Sequence, residues 1–223
     1  MRQQLGTFFP WYRPPACFDD LVGDALARTD RCIAGVAPTG YGSRTGEDLD
    51  LNHTDMYATF LYFLSNCAVH HGELETASRA YALNKALHAL DVMFEVELPE
   101  VFLLVHPVGT VLGRANYRGR LVVYQSCTVG SNLDFERPTL EDGVALMPRS
   151  AVIGRSRIGA NSFIGAGATV MNLEVPAGSM VIQAADGTAI RASRRSVVDR
   201  YFREPAGHGP EGSAAVPAAG GSG

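Results

Sequence analysis

An α+β fold, with an N-terminal helical domain capping a parallel β-helix of hexapeptide repeats, is predicted by three observations. First, apolar residues recur at every sixth position: Val105, Val111, Tyr117, Val123 and Val129, then Leu140, Leu146, Val152, Ile158, Ile164 and Val170. Second, small residues follow most of these by four positions: Gly109, Ala115, Cys127, Ser150, Ser156, Ser162 and Ala168. Neither an α-helix face nor a strand repeats at six. Stacked coils of three short strands and three turns do, with the apolar residue inside and the small one at the bend. Third, the residues ahead of this region carry apolar side chains at helical spacing.

Taken in order, residues 1–17 combine Phe8, Phe9, Trp11 and Tyr12 with three prolines, which predicts an extended arm packed on another surface. Residues 18–33 place Leu21, Ala25, Leu26 and Cys32 on one helical face, with Asp19 and Asp20 at the end where the dipole favours anions. Residues 35–46 are a Gly/Pro-rich loop. A second helix is expected from about residue 52 or 54 to 71, on the spacing of Tyr57, Phe60, Leu61, Leu64 and Ala68, with Gly72 as its stop. A third is expected over 73–96, through Leu74, Ala77, Tyr81, Leu87, Leu90 and Phe94, before Pro99. The domains are thus an arm (1–17), a helical domain (18–100), the β-helix (101–190), a basic C-terminal helix (191–203) and a disordered tail rich in Gly, Pro, Ala and Ser (204–223).

Composition narrows the function classes. Of 223 residues 46% are hydrophobic, enough for a substantial core. No apolar run reaches membrane-spanning length, and the N-terminus lacks a signal-peptide pattern, so a cytoplasmic protein is expected. Cys17, Cys32, Cys67 and Cys127 are far apart and read as free thiols. The net charge of −4 hides an asymmetry. Residues 1–100 hold 14 acidic and 7 basic groups, net −7, whereas residues 101–203 hold 7 acidic and 12 basic, net +5. A basic repeat region favours an anionic ligand. Its scattered Arg residues, without aromatic platforms between them, argue against nucleic acid.

The six-residue period breaks once, between Val129 and Leu140, so residues 131–139 must leave the wall as a loop, the place where chemistry tends to sit. His106 is the one histidine of the repeat region. An imidazole titrates near neutrality and suits proton abstraction from a hydroxyl or amine; capping the first coil is its plain structural role. A metal site is not expected, since a single prism histidine is too few.

The blocks HPVGTVLGR, YQSCTVGSN, the RP of ERPTL, IGAGATV and VPAGS resemble the serine acetyltransferase branch of the hexapeptide-repeat acyltransferases. His106, Gly109, Val111 and Gly113 match its H-x-x-G-x-V-x-G block, and Gln125, Ser126, Thr128 and Gly130 its Q-S-x-T-x-G block. The likeness covers residues 101–191; a D-x-Y-x-T segment at Asp55, Tyr57 and Thr59 extends it loosely into the helices. It implies a left-handed β-helix, a homotrimer with sites between prisms and with pairing of trimers left open, and O-acetyl transfer from acetyl-CoA to serine or another small hydroxylated acceptor. The matching His106 would be the general base. Two departures stand out. Val105 replaces the Asp that precedes the family's histidine, so an orienting carboxylate must come from Asp55, Asp134, Glu136 or Glu97. The loop reads Glu136, Arg137, Pro138 in place of Arg-His-Pro, which removes a substrate-holding histidine, while Arg137 remains to fork onto a carboxylate.

For the pantetheine arm the resemblance points to Gly130 and Ser131, Arg149 and Ser150, and Gly165, Ala166 and Gly167; Gly and Ala let a ligand approach the backbone, though turn geometry alone also accounts for them. Arg191, Arg194 and Arg195 are placed either to meet CoA phosphates or to form a solvated helix face. Two other functions fit the same motifs: acyl transfer to a sugar or specialised metabolite, and a non-catalytic β-helix serving as an assembly or binding module.

Overall fold

A computed structural model describes residues 1–37, 49–185 and 187–203. The predicted loop at 35–46 lies mostly outside them, and the tail at 204–223 entirely so. The arm is not wholly extended. Residues Arg2–Phe8 form a short helix (α1) that buries Leu5 completely and bonds Arg2 to Asp19 at the start of α2 (Phe18–Ala34). Proline follows at position 10, where helix could not continue. Helix α3 (Thr54–His70) is buried from Met56 to Ala68 except at Tyr57, because its sequence is apolar nearly all round. It packs against α2 on one side and α4 (Leu74–His88) on the other.

The third helix stops well short of its predicted end. Ala89 adopts a left-handed conformation (φ +50°) and closes α4, and residues 89–98 run as a non-helical strap with a turn at Phe94 and Glu95. Leu90, Val92, Phe94, Val96 and Leu98 are buried while Met93, Glu95 and Glu97 face out, an alternation of period two. The strap closes the N-terminal end of the prism: Asp91 bridges to Val111, and Tyr62 donates its hydroxyl proton to Val96 O at 2.8 Å.

Four coils follow. The first comprises β1 (Phe102–Leu104), β2 (Val111–Leu112) and β3 (Asn116–Tyr117); the second β4 (Leu121–Val123), β5 (Thr128–Gly130) and β6 (Thr139–Leu140). The third holds β7 (Val144–Leu146), β8 (Ala151–Ile153) and β9 (Arg157–Ile158); the fourth β10 (Phe163–Ile164), β11 (Thr169–Met171) and β12 (Glu174–Val175). Strands pair in parallel into three walls, β1-β4-β7-β10, β2-β5-β8-β11 and β3-β6-β9-β12. The first wall is extended by β13 (Ser179–Ala184) and, antiparallel to it, β14 (Gly187–Ala192). Residues 191–192, predicted helical, therefore belong to a hairpin, and the C-terminal helix is only Val197–Tyr201 (α5). No described helix is long and apolar enough to cross a membrane.

The internal columns are Leu104–Val123–Leu146–Ile164–Val181, Leu112–Val129–Val152–Val170 and Tyr117–Leu140–Ile158–Val175. Val105 and Val111 are thus one residue out of register with the predicted inward set: Val111 is exposed, and Val105 is buried outside the prism. Eight positions separate Leu104 from Leu112 and five separate Leu112 from Tyr117, so the two irregularities nearly cancel and leave an apparent period of six. The small corner residue of that coil is Thr110, not Gly109. Its hydroxyl donates to Tyr124 O and accepts from the Cys127 N–H.

A second apolar cluster lies on the outer face of the first wall. Leu103, Val105, Val122, Ala145 and Phe163 are covered there by Val36, Val197, Tyr201 and Phe202. Asn161 holds α5 in place, its side-chain oxygen accepting from the Val197 and Val198 N–H groups.

Candidate active site

The corner after β1 carries the two extra residues, and they push His106 outward. Its φ is +47°, a left-handed conformation that costs a β-carbon-bearing residue roughly 1–2 kcal/mol. Hydrogen bonds over-determine the bulge. Val108 N–H donates to His106 O at 2.7 Å, Thr110 N–H to Pro107 O at 3.1 Å, and Gly109 N–H to Ala89 O at 3.0 Å. The His106 N–H itself points away from the wall and donates to Asp55 Oδ2 at 2.9 Å.

Asp55 sits in the first turn of α3, where the helix dipole favours a carboxylate. Its side chain is 9% exposed and that of His106 67%, so a buried anion lies beneath an accessible imidazole. His106 Nδ1 is 3.8 Å from the same Oδ2, too long for a hydrogen bond but within ion-pair range. Of the four carboxylates considered from sequence, Asp55 is the one that the described residues bring to His106. Glu97 is drawn to His70 (3.0 Å) and Asn66 (3.3 Å) on the helical domain. Asp134 and Glu136 belong to the loop at the next corner.

That loop is closed on itself. Asn132 Oδ1 accepts from the Asp134 and Glu136 N–H groups, both at 3.0 Å, and its Nδ2 donates to Glu136 Oε2 at 2.7 Å. Arg155 lies 3.9 Å from Glu136 Oε1. Arg137 is exposed, as are Leu133 and Phe135 at 97% and 81%. Because the loop follows β5 and His106 follows β1, they occupy different edges of one prism, and the fold of a single chain does not join them.

The residues expected at the donor site divide. Arg149 (φ +62°), Ala166 and Gly167 lie on the same edge as His106, and Arg149 and Ala166 are exposed. Ser150 follows Arg149 at that corner; it is 1% exposed, with its side chain turned into the prism, where its hydroxyl faces Cys127 Sγ at 3.6 Å. Gly165 is explained by packing, since a Cβ there would come within 2.5 Å of Val181 O. Gly130 O accepts the Gly154 N–H, and Ser131 is exposed at the base of the loop. Arg191 is on β14, where it lines an open cleft of about 460 Å³ with Met180, Ile182, Arg194 and Arg195. Guanidinium groups beside apolar side chains suit a phosphorylated ligand with a flexible arm. Among the described residues no group of three or more His, Cys, Asp or Glu could hold a metal ion.

His88, the last residue of α4, is not among the site residues expected from the sequence. It lies beside Tyr57, ring centroids 5.8 Å apart and edge-on, and its Nδ1 is 2.8 Å from Asn84 Oδ1. Burial holds its pKa below the usual histidine value, with the Asp55 charge opposing. The Asn84–His88 spacing of four on one helix face is the signal that was available.

No family model matches the sequence, and no curated protein matches it. Solved structures match the fold. A serine acetyltransferase from Brucella abortus strain S19 superposes with a TM-score of 0.60 at 18% identity, over 86% of this chain and 73% of that one. The same organism's enzyme in complex with coenzyme A gives 0.60 at 15%, over 87% and 73%. Soybean serine acetyltransferase complexed with serine gives 0.59 at 16%, over 79% and 70%. What the likeness establishes is the fold: a left-handed parallel β-helix of hexapeptide repeats behind an N-terminal helical domain.

Proposed function

We propose that the protein is an acetyl-CoA-dependent O-acetyltransferase acting on serine or a related small hydroxylated molecule, with His106 as general base. The observation that carries this reading is the bulged corner, which holds an accessible imidazole over the buried Asp55 carboxylate. Acetyl-CoA supplies the thioester. His106 takes the proton of the acceptor hydroxyl as that oxygen attacks the thioester carbonyl, and Asp55 stabilises the imidazolium that results. The proton passes on to the departing thiolate, giving free CoA and the acetyl ester. Arg149, Ala166, Gly167 and the Arg191–Arg194–Arg195 cleft are the groups assigned to the donor, and Arg137 to an acceptor carboxylate.

His106 and Arg137 lie on different edges of one prism, which supports a homotrimer in which one chain's His106 edge faces the neighbour's loop edge. Coenzyme A and serine in the solved relatives support the donor and the acceptor class. The self-closed loop without a histidine favours one other acceptor class, a sugar or specialised metabolite.

Thiol release from acetyl-CoA, measured with L-serine, homoserine and a panel of sugars, tests the proposal. Turnover with one of them is expected, and His106→Ala should lower kcat by roughly 10²–10⁴-fold without changing the far-UV spectrum or oligomeric state. CoA binding without turnover on any acceptor would leave a binding module; undiminished turnover by His106→Ala would remove the mechanism.

A further inference from the structure

His88, the residue before the Ala89 carbonyl that accepts the Gly109 N–H, brings a second imidazole to where α4 meets the bulged corner. Asn84 Nδ2 donates to Ala58 O at 2.9 Å, which turns its Oδ1 toward His88 as an acceptor. His88 Nδ1, 2.8 Å away, must therefore carry the proton, and Nε2 is left with its lone pair. Nε2 makes no hydrogen bond among the described residues, and the side chain is only partly buried. The Asn84–Ala58 bond and the Tyr57 ring contact set His88 level with the first turn of α3, where Asp55 sits. From the other side, the Ala89 carbonyl accepts the Gly109 N–H and ties the residue after His88 to the bulged corner.

We propose that His88 is a specificity-determining residue of this site, its Nε2 accepting a hydrogen bond from a second donor group of the acceptor, beside the hydroxyl that His106 deprotonates. The inference rests on the acetyltransferase reading and narrows it to acceptors with an amine or hydroxyl adjacent to the reacting hydroxyl, such as an amino alcohol or a vicinal diol. It also gives a physical role to an imidazole from the helical domain where the excursion loop has none. Asp55 is the charged group that acts on it across the site; Tyr57 faces it from α3 and Asn84 from its own helix.

Steady-state transfer by the full chain, using the best acceptor of the panel above, tests this. His88→Phe keeps a ring against Tyr57 but removes both nitrogens. It should raise KM for the acceptor about tenfold, the worth of one hydrogen bond, while KM for acetyl-CoA stays within about twofold. His88→Gln, whose Oε1 can accept in place of Nε2, should recover most of the loss. Nitrogen-15 NMR of labelled histidine should find Nε2 of His88 unprotonated at pH 7. An active wild type with unchanged acceptor KM in His88→Phe, or a protonated Nε2, overturns the role of His88 and leaves the acetyltransferase reading intact. A wild type inactive on every acceptor overturns both.

Discussion

Val105 shows why a carboxylate cannot stand immediately before His106 in this chain. It is 3% exposed and packs with Leu103, Val122 and Tyr201 beneath the C-terminal segment. An ionised side chain there would lose its hydration with no partner in an apolar cluster. Val105→Asp should therefore destabilise the fold by roughly 2–4 kcal/mol rather than improve the base, read as a lowered urea midpoint. The carboxylate arrives instead from α3, as Asp55. His88 adds a pH signature to the same site. Its folded pKa lies below the 6.5 of an unperturbed histidine, chiefly through burial. The unfolded chain thus takes up this proton first as pH falls, so the His88 contribution to stability is intact above about pH 6.5 and is lost as pH drops through the folded pKa. Urea denaturation at pH 7.5 and 5.5 should show a smaller acid-side loss in His88→Phe than in the wild type.

At the scale of elements, the coils demand close backbone approach at their turns. A Cβ at Gly159 would lie 2.4 Å from Ala177 N, and both atoms belong to rigid stacked turns. Gly159→Ala should lower thermal stability markedly, by about 2 kcal/mol or more, seen as a drop in Tm; an unchanged Tm would mean that the turns can separate freely. The strap of residues 89–98 explains a misread element. Leu90, Val92, Phe94, Val96 and Leu98 alternate strictly, yet Leu87, Leu90 and Phe94 also satisfy helical spacing. The end of the prism needed a cover, and Ala89 in the left-handed region broke the helix to supply it. The same holds at the other end, where pairing with β13 drew residues 187–192 into a strand. The basic pattern of residues 191–203 alone could not reveal that its first two residues had a strand partner.

For the whole molecule, the separation of His106 from Arg137 makes one chain insufficient for the proposed reaction. A mass near three chains of 23.9 kDa is expected in solution. Trimers re-formed from a mixture of His106→Ala and Arg137→Ala chains should regain part of the activity that each variant lacks, because some interfaces then pair an intact His106 with an intact Arg137. No recovery would place both residues in one chain's site. The six-residue period, read from side chains alone, was enough for a parallel β-helix with one interruption, because no other regular backbone repeats at six. Helices α2 and α3 were equally legible in their apolar spacing, and His106 in its place at the head of the repeats. Tertiary contacts alone decided the register of the first coil, since two compensating irregularities hid it from the periodicity. They also chose among the four carboxylates. Asp55 lies 51 residues from His106, and no local pattern encodes a contact that forms only when α3 docks on the first corner.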